Sequence, residues 1–461
     1  MWTNIFPLAV MSVLTREAVP GHVAGVLDTL VLHGHQAYLV GGACRDLLMG
    51  TEPKDWDVAT SASPVDILKA FPHHPTLEVG ALFGTIVLMT QGGPVEVTTF
   101  RSEASYTDSR HPDSVSFHGD IHMDLARRDF TVNAMAWRWP GGPMLDPFRG
   151  KRDLSRQAVR AVGDPQERIA EDPLRMLRAL RFIARGWRLE RATQKAMQCH
   201  SGLLSKVSRE RVRDEFSHIL LGSHVARAAW LMCDLGLMAH VIPELLEGRS
   251  VRGIRGPFDN VTEHSIAILH YLRPDLGLRL AGLLHDVAKP RTWRREDGTS
   301  HFHGHDSEGA SMAREILRRL RFDNATQERV VLLVREHMFQ VGPSISDAGL
   351  RRLVGRVGRD NVLDLFELRQ ADILASGGIP GPAFRGSLAQ VKAILQGHHA
   401  VDTRDLAVDG HDVMEVLGIP EGPRVGRVLR VLLETVLEDP SANEREYLLG
   451  LLGEMARRKE T

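Results

Sequence analysis

Every run that reads as a β-strand falls in the first third of the chain, and this limits what it can fold into. "AYLVGG" reads as a strand ending at a glycine pair, and "GTIVLMT" and "PVEVTTFR" as two more. They alternate with the helix patterns "HVAGVLDTLVLHG" and "PVDILKAF". Short apolar strands with helices between them require an α/β domain with a small mixed sheet, predicted over residues 20–145. From about Asp146 the strand signals vanish and helical periodicity runs to the end. An all-α remainder is therefore expected, divided at 146–250, 255–390 and 395–461. The glycine–proline breaks "SGGIPGP" (376–382) and "GIPEGP" (418–423) mark joins between segments. The length of 461 residues suits roughly three domains. The opening run "IFPLAVMSVL" has no basic leader and is too short to span a bilayer. A frayed start and no membrane partner are expected.

Charge is informative only through its distribution. The formal net charge is −1, yet Arg149–Arg213 holds seventeen Lys and Arg against seven Asp and Glu. A basic middle segment in a neutral protein is the footprint of a phosphate-rich partner, although a solvated helical surface would also carry such charge. Three scattered cysteines, Cys44, Cys199 and Cys233, exclude a disulfide framework or a thiolate metal site and suit a reducing cytoplasm.

The stretch "YLVGGACRDLLMGTEPKDWDVAT" (38–60) places a glycine pair, an Arg-Asp and two spaced aspartates together. Asp55 and Asp57 fall on a predicted strand, where side chains two apart share a face. Two such carboxylates suit hard divalent ions such as Mg²⁺, which keep room for substrate phosphates. A pair of ions about 4 Å apart can activate a hydroxyl and steady a leaving pyrophosphate. Gly41 and Gly42 permit close backbone approach to a triphosphate, and Arg45 can neutralise it. A solvated strand with two surface aspartates would read the same if the D-x-D stood alone; the preceding G-G-x-x-R-D turns the reading toward nucleotide chemistry.

A second pattern lies in "EDPLRMLRALRF" (171–182). Over 171–188, read as one helix, Met176, Leu180, Ile183 and Trp187 form an apolar stripe. Glu171, Arg175, Arg178, Arg181, Arg185 and Arg188 recur on the other side. Asp172 and Arg175 are one turn apart. A carboxylate that accepts from an exocyclic amine, beside an arginine that donates to ring acceptors, selects C and A over G and U. A helix-terminal acid with an ordinary ion pair is the plainer account of the same two residues.

These stretches together resemble the class II tRNA nucleotidyltransferases and bacterial poly(A) polymerases. "GGACRD…DWD" is similar to the nucleotidyltransferase signature and "RRDFTVNAMAW" (127–137) to the second family motif. "LDPFRGKRDL" (145–154) is similar to the head–neck hinge, "EDPLRMLRALRF" to the base-reading helix and "SRERVRDEF" (208–216) to the closing neck motif. The resemblance implies a nucleotidyltransferase head, a helical neck and body, and a tail. It implies Asp55 and Asp57 as catalytic metal ligands, with Gly42, Arg45, Arg101, Asp129, Asn133, Asp172, Arg175, Arg178 and Arg181 binding nucleotide. The stretch 100–117, with Arg101, Glu103, Tyr106, Asp108 and Arg110, resembles the family's flexible loop, which helps switch the pocket from C to A. Glu96, in the strand before that loop, is a candidate third carboxylate. The implied activity is addition of 3′-terminal CCA to tRNA from CTP and ATP.

"LLHDVAKP" (283–290) carries the His-Asp pair of HD-type metal phosphohydrolases. His264, His285, Asp286 and Asp372 follow the family order H…HD…D, and His305 and His337 are spaced like ligands of a second ion. Such a set suits Ni²⁺ or Mn²⁺ and water activation against a phosphoester, with Lys289 and Arg291 placed for substrate phosphate. A degenerate HD fold kept for packing is the alternative. "GHDV" (410–413) is read as incidental, and the C-terminal helices, with Val425, Val428, Leu429 and Leu432 in register, as a packing tail. An A-only enzyme, a poly(A) polymerase and an HD phosphohydrolase with a vestigial head remain as competing functions. Neither the oligomeric state nor the ion in the HD site is encoded in these patterns.

Overall fold

Seven short strands form one mixed sheet in the order β3-β4-β5-β2-β1-β8-β9. In chain order the elements begin α1 (Gly21–Leu32), β1 (Ala37–Val40), α2 (Gly41–Leu48), β2 (Asp57–Thr60) and α3 (Pro64–Ala70). Then come β3 (Thr76–Gly80), β4 (Thr85–Thr90), β5 (Gly93–Thr99), β6 (Arg101–Ala104), β7 (Ser114–Phe117), α4 (Ile121–Ala126), β8 (Ala136–Arg138) and β9 (Met144–Leu145). The computed structural model of the protein describes residues 14–80, 84–104, 114–117, 119–251, 257–296, 299–342, 345–397 and 399–457. Two units divide the chain, Met1–Pro243 and Glu244–Thr461. Tyr106, Asp108 and Arg110 of the expected loop lie outside the described residues, as does the side chain of Glu103.

Alternation along β1 and β2 covers both faces of the sheet. Leu39 and Val58 enter one buried cluster with Leu27, Leu30 and Ile67 from α1 and α3. Tyr38, Val40 and Ala59 enter another with Phe100, Ile121 and Leu125. Asp57 sits two residues before Ala59, so it takes this second face at the mouth of the strand. Strand β2 runs antiparallel to β1 and parallel to β5, with Asp57 opposite Val40 and Glu96. The strand begins at Asp57, so Asp55 lies in the turn before it and not on the strand itself.

Helices follow: α5 (Gly150–Ser155), α6 (Pro165–Glu171), α7 (Arg175–Ile183), α8 (Arg191–Cys199), α9 (Arg209–Leu220) and α10 (Val225–Asp234), with two-residue strands β10 (Ala158–Val159) and β11 (Arg188–Leu189). The single helix expected over 171–188 is broken. Pro173 disfavours helical geometry at the residue before it, and Asp172 is extended at φ −135°, ψ 98°. Helix α6 therefore ends at Glu171 and α7 starts at Arg175. Met176, Leu180, Ile183 and Trp187 are all buried, and Phe182 packs edge-on against Phe130 at 5.9 Å.

Among its described residues the second unit is helical apart from one small hairpin, Arg294–Glu296 with Thr299–His301. Its helices Val261–Ala267, Leu276–Leu284, His305–Arg319, Asn324–Glu336 and Arg359–Ala375 bury Leu280, Leu283, Ile316, Val334 and Phe366. The last three helices, Gly410–Leu417, Pro423–Glu438 and Arg445–Arg457, share their own apolar cluster. Asp412 of "GHDV" closes a capping box with Asp409 and pairs with Arg445 at 2.5 Å. That is a structural task.

Leu180 is fully buried in α7. Leu180→Ala is expected to cost about 2–5 kcal/mol, read as a lower denaturant midpoint with an unchanged slope.

Candidate functional site

Gly41, the first residue after β1, opens α2 from the left-handed region, at φ +68°. A Cβ there would come within 2.8 Å of both Asp57 Oδ2 and Arg128 Nη1. The bare backbone is what lets the carboxylate at the start of β2 and this guanidinium crowd onto the start of α2. A cleft of about 510 Å³ opens beside them. Its walls include Gly42, Arg45, Asp55 and Asp57, Asn133, and Arg178, Arg181, Phe182 and Arg185 from α7 and the residues after it. The two aspartates thus share one opening with the arginine-bearing face.

Burial pushes the Asp57 carboxyl above its ordinary pKa, and the neighbouring Asp55 adds to this against the pull of Arg128 and Arg178. Burial and the same two aspartates also raise Glu96. Asp55 and Asp57 line one opening, and a hard divalent cation there would relieve the burial and the Asp55 charge that raise Asp57. The donor set fits such an ion.

The opposite wall is organised by Asp129. Its Oδ1 accepts from the Phe130 amide at 2.7 Å and from Asn133 Nδ2 at 3.0 Å; its Oδ2 accepts from Arg178 Nε at 2.9 Å. Burial works to raise this carboxyl, but Arg178, Asn133 and Arg175 outweigh it and hold the pKa at about 2. Asn133 in turn accepts from Arg45 Nη1 at 2.6 Å, and Arg45 lies over the Phe182 ring at 5.3 Å.

Asp172 and Arg175 are placed differently. Asp172 accepts from the Leu174 amide at 3.1 Å and from Arg211 Nη2 at 3.0 Å. Arg175 is buried and donates to Glu171 at 2.8 Å and to the carbonyls of Arg168 and Arg127. The two side chains are not bonded to each other, because Pro173 separates them from a common helical turn. Arg101 is half-buried at the start of β6. Lys54 and Phe182 are not singled out by the sequence, and Arg128 enters there only as one of the two arginines of the second family motif. Arg128 stood in the "RRD" stretch, whereas Lys54 and Phe182 carry no pattern of their own.

The second unit assembles a separate cluster. His264 lies on the 261–267 helix, His285 and Asp286 follow the 276–284 helix, and His305 begins the 305–319 helix. His337 follows the 324–336 helix, and Asp372 lies on the 359–375 helix. His264 Nε2 is 3.1 Å from Asp372 Oδ1, and His285 Nε2 is 3.2 Å from Asp286 Oδ2. Asp286 presents its other oxygen to His305 at 3.6 Å and to His337 at 3.8 Å. Two triads result, His264–His285–Asp286 and Asp286–His305–His337, each with ligand atoms within 4.8 Å of one another.

The protonation of these rings points to cations. Nδ1 of His285, His305 and His337 lies 2.6–2.8 Å from the carbonyls of Gly282, Phe302 and Val334. A carbonyl only accepts, so each Nδ1 carries its proton. Burial, reinforced by nearby His285, drives His337 down to about 3, and burial also lowers His305. Both rings are then neutral, and their Nε2 lone pairs face each other across 3.2 Å. His285 Nε2 and Asp286 Oδ1 are buried without hydrogen-bond partners. Burial opposes ionisation of His285, but Asp286 outweighs it and raises that ring's pKa, so His285 would give up a proton on ligating an ion. The neutral His305 and His337 nitrogens beside the unpartnered Asp286 oxygen fit metal ligands as they stand. Burial opposes ionisation of Asp372, but the His264 bond and the charge of His285 hold it down to about 2. Lys289 Nζ reaches Asp286 at 2.6 Å, whereas Arg291 is paired with Glu247 at 2.8 Å.

A sheet-borne carboxylate cluster facing an arginine wall, with an HD helical unit after it, defines the nucleotidyltransferase class with an appended HD domain. Residues 37–160 match the poly A polymerase head domain, 186–248 the probable RNA and SrmB-binding site of polymerase A, and 261–377 the HD domain. The CCA-adding enzyme of Geobacillus stearothermophilus is 34% identical over 446 residues, covering 95% of this chain and 97% of that one. The A-adding tRNA nucleotidyltransferase of Deinococcus radiodurans is 36% identical over 417 residues, covering 86% and 91%. The crystal structure of the Bacillus stearothermophilus CCA-adding enzyme in complex with CTP superposes with a TM-score of 0.72 at 29% identity, covering 95% of this chain and 98% of that one. The chain belongs to the family of tRNA nucleotidyltransferases with a poly(A) polymerase-type head. Among the described residues no helix is long and apolar enough to cross a membrane.

Two outcomes are expected. Asp129, held at about 2 in the fold against about 3.9 when unfolded, contributes on the order of 2 kcal/mol above pH 4. That stability is lost as the pH falls from about 4 to 2, and Asp129→Asn should remove this part of the pH dependence in denaturant titrations. Gly41→Ala should weaken nucleoside triphosphate binding by about tenfold or more in calorimetry, a loss of at least about 1.4 kcal/mol. Gly21→Ala, with open space around it, should leave binding unchanged.

Proposed function

We propose that the protein is a template-independent tRNA nucleotidyltransferase that builds the 3′-terminal CCA from CTP and ATP. The observation that carries this reading is the single cleft shared by Asp55, Asp57, Gly42, Arg45 and the arginines of α7. Asp55 and Asp57, with Glu96 on the neighbouring strand, would hold Mg²⁺, which would neutralise charge on the reacting phosphates and lower the pKa of the attacking 3′-hydroxyl. Arg45, Arg178 and Arg181 neutralise and orient the triphosphate, whose backbone contacts come from Gly42. Asp129 and Asn133 fix Arg178 and Arg45, so the charges stand in place before substrate arrives. Asp172 and Arg175 read the base after exchanging their present partners Arg211 and Glu171. Residues 20–145 act as head, 146–250 as neck and body, 255–390 as HD domain and 395–461 as tail.

The HD cluster adds a phosphohydrolase activity in this reading. His264, His285, Asp286 and Asp372 hold a transition ion such as Ni²⁺ or Mn²⁺, with His305 and His337 on a second one. The ion supplies an activated water, and Lys289 orients the phosphoester. A second reading, addition of the terminal A alone, is favoured by the 36% identity to an A-adding relative.

The test offers tRNA ending in the discriminator base, in -C or in -CC, with each nucleotide singly. CTP incorporation on the first two and ATP on the third support CCA addition. ATP incorporation on -CC alone supports the A-adding reading, and long homopolymer tails overturn both. Asp57→Ala is expected to lower addition by at least about 10²-fold, the scale on which one preorganised charge acts, and to leave phosphohydrolase activity intact. Asp286→Ala should do the reverse. Normal extension by Asp57→Ala overturns the assignment of the carboxylate site.

A further inference from the structure

Between head and neck the first unit builds a second concave surface. A groove of about 600 Å³ is lined by Phe148, Arg149, Arg152, Arg156 and Leu189, among others. It shares no lining residue with the cleft that holds Asp55 and Asp57. Arg152 lies within α5 while Arg149 and Arg156 flank its two ends, and all three line this one groove. All three are exposed.

The ledge that carries them is held rigidly. Asp146 caps α5 by accepting from the Gly150 amide at 2.5 Å and the Lys151 amide at 3.0 Å. Beneath it, a Cβ on Gly150 would lie 2.2 Å from the carbonyl oxygen of Thr131. Arg149 is left at φ +60° and Gln157 at φ +48°. These are two of three described non-glycine residues with positive φ, a backbone costly for any residue with a Cβ. Strain of this kind is kept where the surrounding structure gains from a fixed display.

The acids of the groove are consumed inside the fold. Asp153 accepts from Thr131 Oγ1 at 2.6 Å and from Arg160 Nε at 2.8 Å. Glu190 caps α8 through the Ala192 and Thr193 amides. Among the described residues no side-chain hydrogen bond or ion pair engages Arg149, Arg152 or Arg156. Three like charges lining one groove repel one another, and a concave wall strengthens their field. A polyanion satisfies them. Seven residues of helix span about 10 Å, and a nucleic-acid strand places a phosphate about every 3.4 Å along its axis. The ledge therefore matches two or three successive phosphates, and arginine forks suit them without reading sequence.

We propose that the Arg149–Arg152–Arg156 ledge is a second, sequence-independent site for the RNA backbone, separate from the cleft where nucleotides are joined. The inference rests on the nucleotidyltransferase reading only in taking that RNA to be the strand being extended. The experiment measures RNA binding by fluorescence anisotropy without nucleotide, at several salt concentrations. It compares the wild type with a triple variant Arg149→Asn, Arg152→Gln, Arg156→Gln. Asparagine tolerates the left-handed backbone, so the melting temperature should hold. The expected result is affinity at least about tenfold weaker and a slope of log K against log salt shallower by about 2, at 0.7–0.9 per phosphate. KM for RNA should rise while kcat and KM for ATP stay unchanged, and a triple Arg→Lys variant should keep the salt slope. Should the triple variant melt early, the exposed single reversal Arg152→Glu carries the same test. Unchanged RNA affinity and slope overturn the proposal, as does loss of pyrophosphate binding alone, which would mark a free-polyphosphate site. If the wild type binds RNA through the ledge yet adds no nucleotide, the functional reading fails while the ledge stands.

Discussion

Asp129 is a buried carboxylate with three donors, and each ties it to a different part of the first unit. The Phe130 amide holds it to its own turn, Asn133 connects it to Arg45 on α2, and Arg178 connects it to α7. A carboxylate buried this deeply would be costly without them. With them it becomes the joint through which the glycine-started helix of the head and the arginine helix of the neck share one cleft. The positions of Arg45 and Arg178 follow from it, and so does the spacing between the arginine wall and the aspartates opposite.

The cleft divides its charges. Asp55 and Asp57 stand on one side, where burial and the Asp55 charge raise Asp57. Arg45, Arg181 and Arg185 gather on the other, where burial and Arg181 lower the pKa of Arg185. Neither side is balanced internally, and a triphosphate carrying divalent cations complements both at once. The second unit solves a related problem with imidazoles. Backbone carbonyls set the tautomer of the neutral His305 and His337, whose freed nitrogens converge on Asp286, and hold Nδ1 of His285 in place. In the second unit the histidine ligands are fixed by main-chain carbonyls before any ion arrives, which lowers the reorganisation needed on binding.

Much of this was legible in the chain. The strands "AYLVGG", "GTIVLMT" and "PVEVTTFR" and the helices around them reappear as β1, β4, β5, α1 and α3, because alternation and apolar runs are local signals. The apolar stripe of Met176, Leu180, Ile183 and Trp187 is buried for the same reason. The short strands β8 and β9 and the hairpin pair β6–β7 escaped notice, since runs of two to four residues carry little pattern. The helix over 171–188 was overextended: periodicity continued through Pro173, but the ring of that residue forbids helical geometry at Asp172.

The sequence by itself determined the chemistry that could be present: paired carboxylates after a glycine turn, a stripe of arginines, and an ordered set of histidines and aspartates. Those choices depend on residue type and short spacing, which are local. Only the tertiary structure decided which of them meet. It set Asp57 against Gly41 and Arg128, joined Asp129 to Arg178 across 49 positions, and gave Asp286 one oxygen for each histidine pair. It also assigned Arg175 and Asp172 to internal partners and left the guanidinium groups of Arg149, Arg152 and Arg156 without an ion pair among the described residues. Pairing between distant residues follows from sheet register and helix packing, and neither is written in the spacing of a single segment.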